Sequence, residues 1–222
     1  MPIPFLIWGA AAIFTALSGK IVYDVATSED SPPPRKKSTL ELNLERLKSQ
    51  LNTHTGQKVA ILGQPGAGKS SLLYKMTKGK VVPLPVIGTH TDATSWADSL
   101  DCNLLSQYKK YAFADVPGYD TSSHPANVFT SLFPFYNFDA FIFVINGKLH
   151  SSDEEIFRMV AQSGKPLCVA RSFTDSLEST ELTPVENDIR TRLSMHNKST
   201  PIVFFSNRTG EGVEAVFNSI CS

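Results

Sequence analysis

The sequence predicts an α/β fold, a doubly wound and mostly parallel sheet of six strands, preceded by one transmembrane helix. Three observations predict it. Short apolar runs at Val59–Leu62, Tyr111–Ala114, Phe141–Ile145, Leu167–Ala170 and Ile202–Phe205 are separated by helical patterns, as in β-α units whose parallel strands are covered on both faces. The first run ends in a glycine-rich turn, Gly63–Ser70, that opens into a helical segment. Ahead of them all, the segment from Ile3 to Tyr23 is apolar except for Thr15, Ser18 and Lys20.

That opening segment has the length of a membrane span, because about 20 residues at 1.5 Å rise cross about 30 Å of hydrocarbon. Pro4 is tolerated in the first turn, and Gly9, Ala10, Ala11, Ala12 and Ala16 suit close helix contact. A cleaved secretory signal and a buried core helix are the competing readings. No positive region precedes the run, however, and it is longer than such signals carry. Positive charge lies near its end at Lys20 and follows at Arg35, Lys36 and Lys37, which predicts a single-pass protein whose bulk faces the cytoplasm. Composition then sets the boundaries: an anchor at 1–24, a Pro- and Ser-rich linker at 25–38, an amphipathic helix at 39–57 and the phosphate-binding domain at 58–222. In the amphipathic helix Leu40, Leu44, Leu47 and Leu51 share one face, with Thr39 as candidate cap. That face docks on the domain or on a partner.

The chain has 222 residues, 41% hydrophobic and 19% charged, with 21 basic against 21 acidic residues and no net charge. This suffices for one domain and an appendage. A balanced charge lacks the broad positive footprint of a protein that grips nucleic-acid phosphates, so no nucleic-acid partner is expected. Cys102, Cys168 and Cys221 are far apart and odd in number, which argues against a disulfide framework or zinc site and fits a reduced compartment.

Gly63-Gln64-Pro65-Gly66-Ala67-Gly68-Lys69-Ser70 reads G-x-x-x-x-G-K-[ST] between a strand and a helix. Such a turn aims successive backbone N–H groups at one anion, here from Gly63, Gly66, Ala67, Gly68, Ser70 and Ser71, while the following helix points its positive end at it. Lys69 then reaches the β- and γ-phosphates of a nucleotide, and Ser70 offers its hydroxyl to Mg²⁺. At average residue frequencies the pattern arises by chance in roughly one chain of this length in a hundred. Asp115-Val116-Pro117-Gly118 ends a later strand. There Asp115 can hold the same ion through a water, and the Gly118 N–H can meet a γ-phosphate oxygen. Between the two motifs the long stretch Pro83–Ser99 predicts a functional loop, with Thr91 first and Thr94 second as the threonine that closes over metal and phosphate. Candidate catalytic residues are therefore Lys69, Thr91 and Gly118, and candidate metal ligands Ser70, Thr91 and Asp115.

The strand at Leu167–Ala170 leads to Arg171-Ser172-Phe173-Thr174-Asp175. GTP-binding proteins carry [NT]-K-x-D here, its aspartate accepting from guanine N1 and N2. Asp175 fits that place, or caps a turn before Ser176. Phe173 stands where the lysine would be and offers a flat apolar face for stacking. Ser206-Asn207-Arg208, after the last strand, stands where backbone N–H groups meet guanine O6. GTP or GDP with Mg²⁺ is the expected ligand.

From about residue 40 onward the chain resembles the GTP-binding domain of the immunity-related GTPases, themselves close in pattern to Era-like P-loop GTPases with a Ras-like sheet. The likeness rests on Gly63–Leu72, on Ala114–Tyr119 followed at a distance by Phe135–Ile142, on Val169–Asp175 and on Phe204–Arg208. It implies a slow GTPase that acts at membranes and often self-associates through its nucleotide face; a protein effector or self-association is the expected partner of the switch reading. Two features depart from it: the family's helical region after the core is not among these residues, and its base motif has lysine at the position of Phe173. A single-span anchor before a compact GTPase also looks like the beta subunit of the signal-recognition-particle receptor.

Hydrolysis rests on other residues. Tyr119 occupies the place where many switches carry a water-orienting glutamine, Pro65 lies at a phosphate-loop position near the γ-phosphate, and no arginine is evidently placed to act in cis. Slow turnover is expected. His124 is a candidate for positioning water, against the reading that it is simply solvated. Three activities stay open: a membrane-anchored GTPase switch, a nucleotide-loaded scaffold that does not hydrolyse, and a P-loop ATPase or kinase.

Overall fold

The computed structural model describes residues 35–88, 94–195 and 199–221. The chain divides into two units after Arg35, and the fold is that of the second, Lys36–Ser222. The predicted membrane span at 3–23 and most of the linker lie outside the described residues. Among those residues no helix is long and apolar enough to cross a membrane.

In chain order the elements are α1 (Thr39–Thr53), β1 (Gln57–Leu62), α2 (Lys69–Met76), β2 (Ser106–Tyr108), β3 (Tyr111–Asp115), α3 (Ala126–Leu132), β4 (Ala140–Ile145), α4 (Ser151–Gln162), β5 (Leu167–Arg171), α5 (Leu182–Arg192), β6 (Ile202–Phe204) and α6 (Val213–Ile220), with 3-10 turns at Phe135–Asn137 and Thr174–Ser176. Six strands form one sheet in the order β2-β3-β1-β4-β5-β6. All neighbours are parallel except β2 and β3. The expected strand number and mostly parallel pairing are both present.

Alternation along the strands divides the core into two layers, because successive side chains point to opposite faces. Val59 and Ile61 of β1 join Leu72, Leu73 and Met76 of α2 and Val213, Val216 and Ile220 of α6. Ala60 and Leu62 join the opposite layer, built from α1, Phe129 of α3, Ile156, Phe157 and Val160 of α4 and Ile189 of α5. An aromatic cluster fills the second layer; the Phe133 and Phe138 rings stack with centroids 5.4 Å apart.

Helix α1 differs from expectation at both ends. Its cap is Ser38, not Thr39: the Ser38 hydroxyl accepts from the Glu41 amide at 3.2 Å, and Glu41 accepts from the Ser38 amide at 2.7 Å. Only Ser38 puts a glutamate at the third helical position, which closes this reciprocal box. The helix stops at Thr53 rather than 57 because His54 turns extended to enter β1. Leu40, Leu44, Leu47 and Leu51 are between 0% and 4% exposed and belong to the second core layer, so α1 docks on its own domain. Replacing Leu47 by alanine should lower unfolding free energy by about 2–5 kcal/mol, read as a lower urea midpoint with an unchanged slope.

Candidate functional site

Strand β1 lies between β3 and β4. The chain therefore leaves its carboxyl end where the strand order changes direction, and crevices form at such points. The turn Gly63–Gly68 fills that place and hands the chain to α2. Gly68 caps α2 with φ +94°, and a Cβ there would stand 2.6 Å from Asn207 Nδ2. Glycine is the residue that takes this backbone without strain. A Cβ on Gly118 would run into the backbone and ring of Pro65, so the phosphate turn lies against the second motif only because Gly118 has no side chain.

Lys69 is 7% exposed and folds back over the turn, its Nζ donating to the carbonyls of Gly63 at 2.8 Å and Gln64 at 3.0 Å. Burial pushes its ammonium down from 10.5 to about 8, against the opposing pull of Asp115 and Asp153. The Ser70 hydroxyl donates to Asp115 Oδ2 at 2.6 Å, and Thr94 reaches the same oxygen at 3.3 Å. Burial also raises the Asp115 carboxyl, while Lys69 and these two hydroxyls draw it back. Thr91 lies outside the described residues; the threonine seen beside Ser70 and Asp115 is Thr94.

These oxygens suit a hard cation. Asp115 Oδ1 is buried with no hydrogen-bond partner among the described residues, an acceptor facing no donor. Two hydroxyls and one carboxylate match the oxygen preference of Mg²⁺, which keeps waters and takes its remaining ligands from phosphates. Among the described residues no group of three His, Cys, Asp or Glu offers an alternative site.

Gly66, Gly68, Lys69, Ser70, Ser71, Thr94 and Gly118 line a cavity of about 270 Å³, together with Phe173 and Asn207. Phe173 and Asn207 also line a second cavity of about 300 Å³ with Asp175 and Arg208. The two cavities adjoin at these shared residues and form a cleft in two parts, with phosphate-type groups in one and a flat ring beside a carboxylate in the other. The Asn207 side chain ties the ends together, its Nδ2 donating to the Gly68 carbonyl at 3.0 Å. A larger cavity of about 850 Å³ lies between α4 and α5 and shares no residue with this cleft.

At the second end Asp175 Oδ1 accepts from the Ser206 hydroxyl at 2.6 Å, and Oδ2 pairs with Arg208 Nε at 2.8 Å. The Ser206 bond, followed by Arg208, holds the Asp175 carboxyl below its ordinary value. Phe173 is 51% exposed and takes φ +58°, so its ring stands at the cleft rather than in the core. Two expected contributors act differently from the sequence reading. The Ser206 amide is spent on the Glu211 carbonyl at 2.9 Å, so Ser206 serves the site through its hydroxyl. The Ala67 amide bonds the Gln64 carbonyl at 3.2 Å, and its methyl sits in the core. Arg208 was identifiable only as part of Ser-Asn-Arg, since nothing local announces its pairing with a residue 33 positions earlier.

Tyr119 and His124 both turn inward. Tyr119 is fully buried and donates to Asp153 Oδ1 at 2.7 Å. His124 is 1% exposed and its Nε2 accepts the Trp96 amide at 3.0 Å, which fixes the proton of the neutral ring on Nδ1. It is neither solvated nor directed at the cleft. The phosphate turn and the segment after Gly118 are further joined through α4: Gln64 Nε2 donates to Ser152 Oγ at 2.9 Å, and Ser152 Oγ donates to Asp120 at 2.8 Å.

A family model described as 50S ribosome-binding GTPase matches residues 58–172, just over half of the chain, and the chain belongs to that family. It is 26% identical over 174 residues to the GTPase Der of Lachnospira eligens, an alignment that covers 73% of this chain and 38% of that protein. The chain thus spans about two-fifths of the length of the curated relatives it matches. Among solved structures it superposes on Era, in a complex with MgGDPNP and a piece of 16S ribosomal RNA, with TM-score 0.55 and 21% identity over 73% of this chain and 55% of that one. It superposes on a bacterial selenocysteine-specific elongation factor with TM-score 0.54 and 17% identity, over 74% of this chain and 28% of that one. These two likenesses speak for the fold alone. The domain is a guanine-nucleotide-binding GTPase domain of the family that model describes. The narrower immunity-related resemblance gains no support from these matches.

With the base end so arranged, Asp175→Asn should weaken GTP binding about tenfold to hundredfold, the range for a hydrogen bond to a charged group, and should strengthen binding of a xanthine nucleotide. Competition titration with both nucleotides checks it, and unchanged selectivity removes Asp175 from the site.

Proposed function

We propose that this GTPase domain works as a membrane-anchored switch, which hydrolyses GTP slowly and in its GTP-Mg²⁺ form recruits a protein effector or assembles with further copies. The observation that carries the switch reading is the 2.6 Å bond between Ser70 and Asp115, with Thr94 beside it. It joins the phosphate turn, the second motif and the intervening loop at one part-buried point.

In this reading Lys69 exchanges its two carbonyl acceptors for phosphate oxygens, which return to its ammonium the stabilisation that burial removes. The amides at the start of α2 face the same anion. Ser70 and Asp115 hold Mg²⁺, with Thr94 as the threonine of the loop, and the bound ion supplies neutralisation and orientation of the triphosphate. The Gly118 amide meets the γ-phosphate, so the Asp115–Gly118 segment senses whether that group is present. Phe173 stacks on the base while Asp175 reads its N–H edge, after Arg208 yields the carboxylate. Tyr119 is held away from the cleft by Asp153, so its side chain does not orient water there. Slow turnover follows, with acceleration if a partner brings the missing group. The same burial of Tyr119 supports the alternative of a nucleotide-loaded scaffold that does not hydrolyse.

Membrane attachment through residues 3–23 and a cytoplasmic orientation rest on the apolar run and the positive residues after it. The closer kinship to immunity-related GTPases rests on the motif residues. The ribosome is named in the family's description and RNA in the Era complex; the balanced charge of this chain supports a protein partner instead.

Phosphate release and thermal stabilisation of the full chain test the switch reading. GTP with Mg²⁺ should raise the melting temperature and ATP should not, since a ligand that binds only the folded state stabilises it by mass action. Turnover should be on the order of 10⁻⁴ to 10⁻² s⁻¹, and Lys69→Ala should lose the stabilisation. No release at saturating GTP selects the scaffold, whereas fast release independent of protein concentration overturns the slow-switch reading. For the anchor, the full chain should float with liposomes containing phosphatidylserine. The pair Ile13→Lys and Leu17→Lys should leave it in the soluble fraction, and an unmodified chain that does not float overturns the anchor alone.

A further inference from the structure

Helix α1 precedes the phosphate-binding motifs and contributes nothing to the cleft, yet it carries a buried polar side chain. Asn43 is fully buried in the row of leucines. Its Nδ2 spends both protons on one loop, donating to the carbonyls of Trp96 at 2.7 Å and Ser99 at 2.9 Å. One helical turn later Arg46 donates to the carbonyl of Cys102 through Nη2. Side chains three apart on a helix lie on one face. The helix therefore grips carbonyls at every third residue of the loop.

That loop begins directly after Thr94. The Thr94 hydroxyl lies 3.3 Å from Asp115 Oδ2 and 3.4 Å from Ser70 Oγ. Two residues of chain reach at most about 7 Å, so a shift of the Trp96 peptide is passed on to Thr94. The peptide groups flanking Trp96 are also held from both sides. Its carbonyl is bound by Asn43, while its amide is bound by His124, in the segment that follows Gly118. Trp96 itself is 1% exposed. The two segments that flank the γ-phosphate position, one ending at Thr94 and one starting at Gly118, thus meet at a residue that α1 anchors.

We propose that Asn43 is a positioning residue for nucleotide discrimination: through Trp96 it sets the place of Thr94, so that the seating of α1 and the preference for GTP over GDP are coupled. The inference rests on the reading of Thr94 as the threonine that closes over the triphosphate. Its chemistry is a difference between nucleotides. GDP presents no γ-phosphate, so its affinity depends on the phosphate turn and base end and is indifferent to where Thr94 stands. GTP needs Thr94 in place and pays whatever moving it costs. Because coupling is reciprocal, bound GTP in turn tightens α1 on the domain. The input end is also defined: α1 starts at the Ser38 cap, next to the Lys37–Glu45 ion pair, so a pull on the segment before Ser38 acts on the helix that holds Trp96.

The test uses the full chain. Affinities for GDP and for a non-hydrolysable GTP analogue are measured with Mg²⁺ in the unmodified protein, in Asn43→Ala and in Arg46→Ala. Asn43→Ala should weaken the analogue about five- to tenfold, at the low end of measured couplings, and leave GDP within about twofold. Arg46→Ala, which removes one of three loop contacts from a partly exposed position, should shift the analogue in the same direction by less. Hydrogen exchange of the unmodified chain should show α1 and residues 95–102 exchanging more slowly with the analogue than with GDP. A merely structural asparagine lowers the melting temperature and weakens both nucleotides by one factor, and that result overturns the proposal. If Asn43→Ala does not fold, identical α1 exchange with both nucleotides, or an unchanged affinity ratio in Arg46→Ala, overturns it. Failure of the underlying reading is recognised separately, by an unmodified chain that binds neither nucleotide.

Discussion

A buried ammonium and a buried carboxylate, coupled through space, organise the site. Lys69 and Asp115 are each less than a tenth exposed, and burial moves each toward its neutral form, Lys69 downward and Asp115 upward. Neither is stable in such a place alone. Each reduces the other's desolvation cost, and the carbonyls of Gly63 and Gln64 and the Ser70 hydroxyl make up part of the rest. An anion at Lys69 and a cation at Asp115 would offset the remainder, and a magnesium nucleotide carries both.

Much of this was legible because it is written locally. The turn between β1 and α2 needs glycines and a lysine at fixed intervals, and the second motif needs an aspartate at a strand end; both survive without any knowledge of tertiary contacts. The base end is readable for the same reason, since Phe173 and Asp175 follow a recognisable strand. What was not legible depends on pairs distant in sequence. Arg208 meets Asp175, Asn43 meets Trp96, and His124 meets the same Trp96 from the other side; no periodicity joins such positions. Ser38 was a different kind of miss: Ser38 and Glu41 form a visible capping pair, but the adjacent Thr39 also suits a cap, and only the observed bonds separate them. Ser206 shows a third kind, where the right residue was named for the wrong group, hydroxyl rather than amide.

The slow turnover proposed above has its structural basis at Tyr119. Tyr119 is not merely a substitute for a catalytic side chain but part of the packing, tied to the first turn of α4 by Asp153, which in turn accepts the His150 amide. Moving it toward the cleft would empty a core position and leave a buried carboxylate oxygen unpaired. Chemistry and stability compete at this residue, and stability prevails. Phe173 is the reverse case: an exposed aromatic on a strained left-handed backbone, which packing alone does not explain.

The sheet has one more property that bears on how copies of the molecule meet. Its outermost strands, β2 and β6, are only three residues long, and β2 is further covered by a bridge from Val82. Short margins of this kind give another chain little to zip onto. Filament growth by strand addition is thereby disfavoured, and any higher-order arrangement is left to side-chain surfaces.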